Sequence, residues 1–497
     1  MKSSPAQPPK KTFASTLRGC FVLPLFVVSV SMAANWSYGK PPEFAAEIDR
    51  LVQPYLDNSV IAGMVVGAIR GDETLVRGYG REDLDRPAKP DGKTIYEIGS
   101  ISKTFTGLLL ADAVVDGRVQ LDQPVAEVVP DQVEFPQHAD GPILLKHLAT
   151  HVSGLPRMPS NMKPKEPQDP YADYGADGLY AFLSSHSLER GPEQKAEYSN
   201  LAFGLLGQIL AEQSNTSYGE LVEARIAEPL KMKDTTAEVD EVKPSRLAVP
   251  YDANLERSSN WRFQSIAGAG AVCSTADDML RYARAHLNPP RGPLGEAIEL
   301  AWKTQQPPLA EGDFAVGLGW HIARDGETRW HNGQTGGYHS MIMIHRPSKT
   351  AVVLLANTAT MEADRLAEQL MRMLLGIPEQ PRQFEKSVEV APEQMQRLVG
   401  RYQLTPEFIL TVQVEEGKLM VGATGQPFFR VFPQSDTEWK YGVVDASLTF
   451  ETGDEGPATA VVLHQGGIDQ RATRMPEPEA GGDDGADEDD AASGKQK

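Results

Sequence analysis

Three short patterns in this 497-residue chain carry side chains that can do nucleophilic chemistry together. The first is Glu97-Ile98-Gly99-Ser100-Ile101-Ser102-Lys103, which leads into the long apolar run 100–115. Positions three apart share a helix face, so Ser100 and Lys103 can touch. A serine at a helix N-terminus has backbone N–H groups and the positive dipole end beside its oxygen, which favours developing negative charge. A lysine held in a desolvated pocket loses part of its preference for the charged form and can accept a proton. The same Ser-x-x-Lys pattern recurs at Ser37–Lys40 and Ser160–Lys163, so context must decide between them. Only Ser100 opens an apolar helix behind a strand pattern.

The second pattern is Tyr198-Ser199-Asn200, at the head of LAFGLLGQIL. A phenol near a lysine ammonium can pass a proton between the serine and a leaving group, and Asn200 can orient a substrate amide. The third is His331-Asn332-Gly333-Gln334-Thr335-Gly336-Gly337, on a predicted strand. Glycines on a strand allow close approach of another backbone or a ligand, and an exposed N–H there can complete an oxyanion hole. His464-Gln465-Gly466 also fits His-x-Gly, but lacks the Thr-Gly-Gly that follows Gln334.

Ser-x-x-Lys, Tyr-x-Asn and His-x-Gly, in this order and approximate spacing, resemble the motifs of the class C β-lactamase and DD-peptidase (penicillin-binding protein-like) superfamily of serine hydrolases. The stretches ILLKHLATHVSGLPR (143–157), EPLKMKDTT (228–236) and AGAGAVCSTADDMLRY (267–282) are similar to the same family. The resemblance covers about residues 45–375. It implies Ser100 as the acylated nucleophile, Lys103 as its activating partner and Tyr198 as general base and acid. It further implies Asn200 as amide binder, with the backbone N–H groups of Ser100 and Gln334 as the oxyanion hole behind Gly333. The expected activity is that of an exported acyl hydrolase without metal or organic cofactor. A D-alanyl-D-alanine carboxypeptidase or endopeptidase on peptidoglycan peptides leads, with a β-lactamase, a carboxylesterase and a non-catalytic penicillin-binding sensor as alternatives. His331 stands where β-lactamases of this class usually have lysine. A histidine there is expected to be partly charged near neutral pH, so that binding of a terminal carboxylate weakens as pH rises through its pKa.

The elements around these motifs follow from hydropathy and turn residues. Runs 63–69 and 74–80, joined by Arg70-Gly71-Asp72-Glu73, read as a hairpin. Residues 125–265 read as a mainly helical insert. Ser274, Thr275, Asp277 and Asp278 form a cap ahead of a helix through about 286, followed by strands at 316–323, 328–333, 338–345 and 350–356 and a helix over Ala363–Leu375. The expected fold is α/β, an antiparallel sheet flanked by helices with an inserted helical lobe, over residues 42–377. After a linker at 378–392, period-two runs predict a small β-barrel over 393–475. This part resembles the lipocalin-like domain often fused after such hydrolases, with an expected docking or cleft-shaping role. His147 and His151 have the spacing of a zinc pair, but Leu148 stands where a zinc protease has glutamate, so both read as structural histidines.

At the N-terminus, basic residues, the run CFVLPLFVVSVSMAA and Ser31-Met32-Ala33 read as a signal peptide over 1–34, giving a periplasmic or secreted protein. That apolar run is about 15 residues and contains Pro24, where a membrane span takes about 20. Residues 476–497 read as an acidic disordered tail. With 48 Lys and Arg against 68 Asp and Glu, the net charge of −20 argues against a nucleic-acid partner. Cys20 and Cys273 are the only cysteines, which excludes a disulfide scaffold or a multi-cysteine metal site. The expected partner is a peptidoglycan peptide or small acyl substrate. The oligomeric state is left open.

Overall fold

The computed structural model describes residues 42–476 apart from 243, 385–387, 389, 407, 416, 427, 443, 445, 454 and 455. The expected signal segment and nearly all of the acidic tail lie outside the described residues.

The hairpin forms as expected, with β1 (Gly63–Arg70) and β2 (Glu73–Gly80) pairing in antiparallel register around Gly71, whose φ of +60° suits the turn. After β3 (Ile95–Glu97) and β4 (Cys273–Thr275), which pair as a separate ribbon, come β5 (Ala315–Val316), β6 (His321–Ile322), β7 (Thr328–Gln334), β8 (His339–His345) and β9 (Thr350–Ala356). The main sheet has seven strands in the order β2-β1-β9-β8-β7-β6-β5. Successive side chains point to opposite faces of a strand, and both faces of β1 are covered. Met64, Val66 and Ala68 pack with helices Ala45–Asp57 and Glu362–Leu374, while Val65 and Ile69 share a core with Met279 and Leu280 of helix Ala276–Leu287. Thr275 caps that last helix by accepting from the N–H of Asp278 at 3.2 Å.

The expected single strand at 316–323 is instead two short strands separated by a turn. Gly319 has φ +74°, and a Cβ on it would lie 2.2 Å from the carbonyl oxygen of Lys103. A Cβ on Gly107 would lie 2.2 Å from the oxygen of Leu318. The chain therefore folds against helix Ser102–Val115 there, and tertiary packing breaks the strand.

That helix is buried on all sides from Ser102 to Ala113, between the sheet and the helical lobe, where Leu145–Ala149, Ala176–Ser185, Asn200–Gln213 and Tyr218–Val222 supply helices. Beyond helix Glu362–Leu374, the short helix Pro392–Leu398 leads into eight strands, β10 (Gly400–Thr405), β11 (Phe408–Glu415), β12 (Lys418–Ala423), β13 (Phe428–Pro433), β14 (Glu438–Tyr441), β15 (Ala446–Glu451), β16 (Ala460–Gln465) and β17 (Ile468–Arg474). They close into a barrel around Tyr402, Trp439, Leu448 and Phe450. None of the described helices is long and apolar enough to cross a membrane.

Candidate active site

Ser100 occupies the 3-10 turn Gly99–Ile101 between β3 and helix Ser102–Val115. Gly99 has φ +48°, and a Cβ there would meet the backbone nitrogen of Gln334 at 2.7 Å. A Cβ on Gly333 would in turn lie 2.0 Å from the oxygen of Ile98 and 2.9 Å from the nitrogen of Ser100. Two glycines thus let β7 lie against the serine turn, bringing the Ser100 and Gln334 backbones into one place. The turn is tied further by Ser340 Oγ donating to Ile98 O at 2.8 Å and by Ser102 Oγ accepting from Val272 N at 3.0 Å.

Lys103 is fully buried, with Nζ 2.9 Å from Ser100 Oγ and 2.7 Å from the carbonyl oxygen of Ala269. Burial, reinforced by the Arg157 charge, holds its pKa well below the ordinary lysine value. Tyr198 completes the cluster, its ring centroid 4.8 Å from Lys103 Nζ, 5.1 Å from the Arg157 guanidinium carbon and 4.4 Å from the His151 ring. Burial pushes its phenol up to about 12, against the opposing effects of a hydrogen bond with Ser100 and the Arg157 charge. Tyr198 is therefore a neutral phenol near pH 7, while Lys103 is the group whose proton is loosely held.

Asn200 begins helix Asn200–Gln213, capped by Ser199 Oγ accepting from Ala202 N at 3.0 Å. Its Nδ2 points to Met158 Sδ at 3.6 Å, and its buried Oδ1 has no partner among the described residues. His331 is 1% exposed and its Nδ1 lies 2.6 Å from the oxygen of Asn332. A carbonyl only accepts, so the proton sits on Nδ1 and Nε2 is a lone-pair acceptor, buried and without a partner among the described residues. Burial, His321 and Lys103 all hold the His331 pKa well down. The expected partial charge near neutrality is corrected accordingly: this imidazole is neutral there, and the side chain at this position on β7 presents an acceptor rather than a cation.

Sequence reasoning missed four neighbours. His321, at the start of β6, has its ring tilted against those of His331 and Trp330, with centroids 4.9 Å and 4.6 Å away, and burial pushes its pKa down to about 4. His151 holds φ +62° and accepts through Nδ1 from Ser199 N at 3.1 Å, so it sets the start of the Tyr198-Ser199-Asn200 segment. Glu97, three residues before Ser100, is buried and accepts from Asn260 Nδ2 at 2.8 Å and Trp261 N at 3.0 Å. Arg157 follows Gly154-Leu155-Pro156 at the mouth of the cluster. Of the four, only His151 bears a spacing signal, the four-residue interval from His147, and that interval points to metal binding rather than to this site. His147 is occupied by Leu144 N at 3.1 Å and Glu193 at 3.2 Å. Among the described residues, no three His, Cys, Asp or Glu side chains are grouped to hold a metal ion.

The antiparallel sheet, flanking helices and inserted helical lobe are the β-lactamase/transpeptidase fold. The Beta-lactamase family model matches residues 48–374, about two thirds of the chain, and the protein belongs to this family of serine hydrolases, in its class C β-lactamase/DD-peptidase-like branch. A D-alanyl-D-alanine-carboxypeptidase/endopeptidase, AmpH of Escherichia coli K12, is 32% identical over 250 residues, 50% of this chain and 63% of AmpH, so the match spans less than two thirds of that relative. A beta-lactamase of the same organism is 27% identical over 296 residues, 58% of this chain and 72% of its own length. A beta-lactamase/D-alanine carboxypeptidase from Yersinia pestis, solved with citrate, superimposes with a TM-score of 0.59 at 25% identity, covering 67% of this chain and 99% of that one.

Proposed function

We propose that this protein is an exported serine acyl hydrolase that cleaves D-alanyl peptides of peptidoglycan, as a carboxypeptidase or endopeptidase, through an acyl-enzyme on Ser100. The observation that carries the reading is the 2.9 Å contact between Ser100 Oγ and a fully buried lysine whose charged form is disfavoured. Lys103 takes the Ser100 proton as Oγ bonds to the substrate carbonyl carbon, so the base role falls to Lys103 rather than to Tyr198. The oxyanion is held by the backbone N–H groups of Ser100 and Gln334, where one donor is typically worth ~10²–10³ in rate. As the C–N bond breaks, the leaving nitrogen receives a proton from the Tyr198 phenol, which recovers one from Lys103. Water then attacks the ester carbon with Lys103 again accepting a proton, and as the bond from that carbon to Ser100 Oγ breaks Lys103 returns the proton to Oγ, which restores the free serine.

The D-alanyl substrate class is supported by the similarity to AmpH, and export by the leader pattern at 1–34. The test is intact-mass spectrometry with a fluorescent penicillin, beside Ser100→Ala. A long-lived adduct on the wild type alone is expected. A transient adduct with released penicilloate would instead make the protein a β-lactamase, and an adduct on Ser100→Ala would exclude Ser100 as nucleophile.

A further inference from the structure

Arg157 stands at the mouth of the site with its guanidinium carbon 5.1 Å from the Tyr198 ring centroid. It is exposed, and among the described residues no carboxylate pairs with it. Two acids whose backbone is hydrogen-bonded to residues 151 and 152 are engaged elsewhere, Glu193 with His147 at 3.2 Å and Glu197 with Arg190. In a chain of net charge −20, a cation left over at the entrance to the nucleophile is a feature that a ligand can use.

Its placement says which half of a substrate it meets. The carbonyl oxygen of Arg157 accepts from Asn200 N at 3.0 Å and from Leu201 N at 3.2 Å, so its backbone is fastened to the head of the helix that carries Asn200. Its neighbour Met158 contacts the Asn200 amide at 3.6 Å. Arg157 therefore belongs with Asn200, whose Oδ1 has no partner among the described residues and is the acceptor this reading gives to a substrate N–H. The His331 ring lies on β7, 6.3 Å from Tyr198, and presents only a lone pair. A planar guanidinium recognises a carboxylate through paired N–H donors, which a neutral imidazole acceptor cannot do.

We propose that Arg157 is a specificity-determining residue that selects acyl donors bearing a carboxylate on the acyl half, the part retained on Ser100. The inference rests on the Ser100 acyl-enzyme reading above and on Asn200 as the binder of the acyl-side amide. It assigns the anion preference to the residue after Gly-Leu-Pro and not to β7.

The test compares N-succinyl-D-alanine and N-succinamoyl-D-alanine thiobenzyl esters, which share a leaving group and differ by a carboxylate against a carboxamide. Wild type should favour the succinyl ester by roughly 10-fold in kcat/KM, with the preference shrinking as salt is added. Arg157→Gln should bring the ratio close to one, and Arg157→Lys should keep part of it. Both esters can slow in Arg157→Gln, because Arg157 also acts on Tyr198 and Lys103, so the ratio is the readout. A wild-type ratio near one, or a ratio unchanged in Arg157→Gln while the pH profile moves, would overturn the inference alone. Absence of turnover, or turnover that survives Ser100→Ala, would overturn the Ser100 reading and this inference with it.

Discussion

The Nδ1 of His331 gives its proton to the carbonyl oxygen of its own neighbour Asn332 across 2.6 Å, which leaves a bare, buried Nε2 without a partner among the described residues. With burial, His321 and Lys103 all disfavouring the imidazolium, His331 stays neutral through the neutral range. Nitrogen NMR of the labelled protein should show a protonated Nδ1 and an unprotonated Nε2 from pH 5.5 to 8. A titration midpoint near the usual histidine value would refute this.

Lys103 is the group whose ionisation should govern turnover. Its pKa is held below the ordinary value, so kcat/KM should rise with pH as the ammonium loses its proton, with a midpoint well below about 10. Lys103→Arg keeps the charge but cannot give up its proton, and should lose ~10²–10⁴ in kcat/KM. An arginine variant within a few-fold of wild type would rule out the base role.

Glu97 carries a cost that depends on pH. Burial raises its carboxyl to about 7, against the hydrogen bonds from Asn260 and Trp261. Between about 4.5 and 7 the folded protein keeps a proton that the unfolded chain has lost, so stability falls as pH rises through that window. Glu97→Gln keeps an oxygen to accept from Asn260 and Trp261 and removes the cost, on the order of 3 kcal/mol at most. Thermal melts should show the variant gaining more at pH 8 than at pH 5, and an equal change at both would count against a buried, pH-dependent carboxylate.

The barrel touches the hydrolase beside a loop that leads to the cleft. Lys418 pairs with Glu256 at 2.8 Å, and Arg430 N donates to Asn254 Oδ1 at 2.9 Å. The same loop runs on to Asn260 and Trp261, which Glu97 holds. Deleting 393–497 should therefore lower the melting temperature or alter selectivity between large and small substrates while small-ester hydrolysis persists. Complete loss of ester turnover in a folded truncation would show that the barrel completes the site itself.

Much of the molecule was readable along the chain because the signals are local. The hairpin at 63–80 follows from two apolar runs and a glycine turn, the barrel from period-two runs, and Ser100–Lys103 contact from helical spacing. The split of the expected strand at 316–323 was not readable, since it comes from the packing of Leu318 and Gly319 on a helix some 200 residues earlier. The side-chain chemistry at the site was likewise decided in three dimensions. A serine, a lysine and a tyrosine specify a possible reaction, but their proton affinities depend on burial and on charges that arrive from distant segments. Arg157, His321 and Glu97 entered the site only because the lobe, the sheet and the 258–263 loop converge on it. Local spacing determined which residues could react, and tertiary burial decided which of them holds the proton.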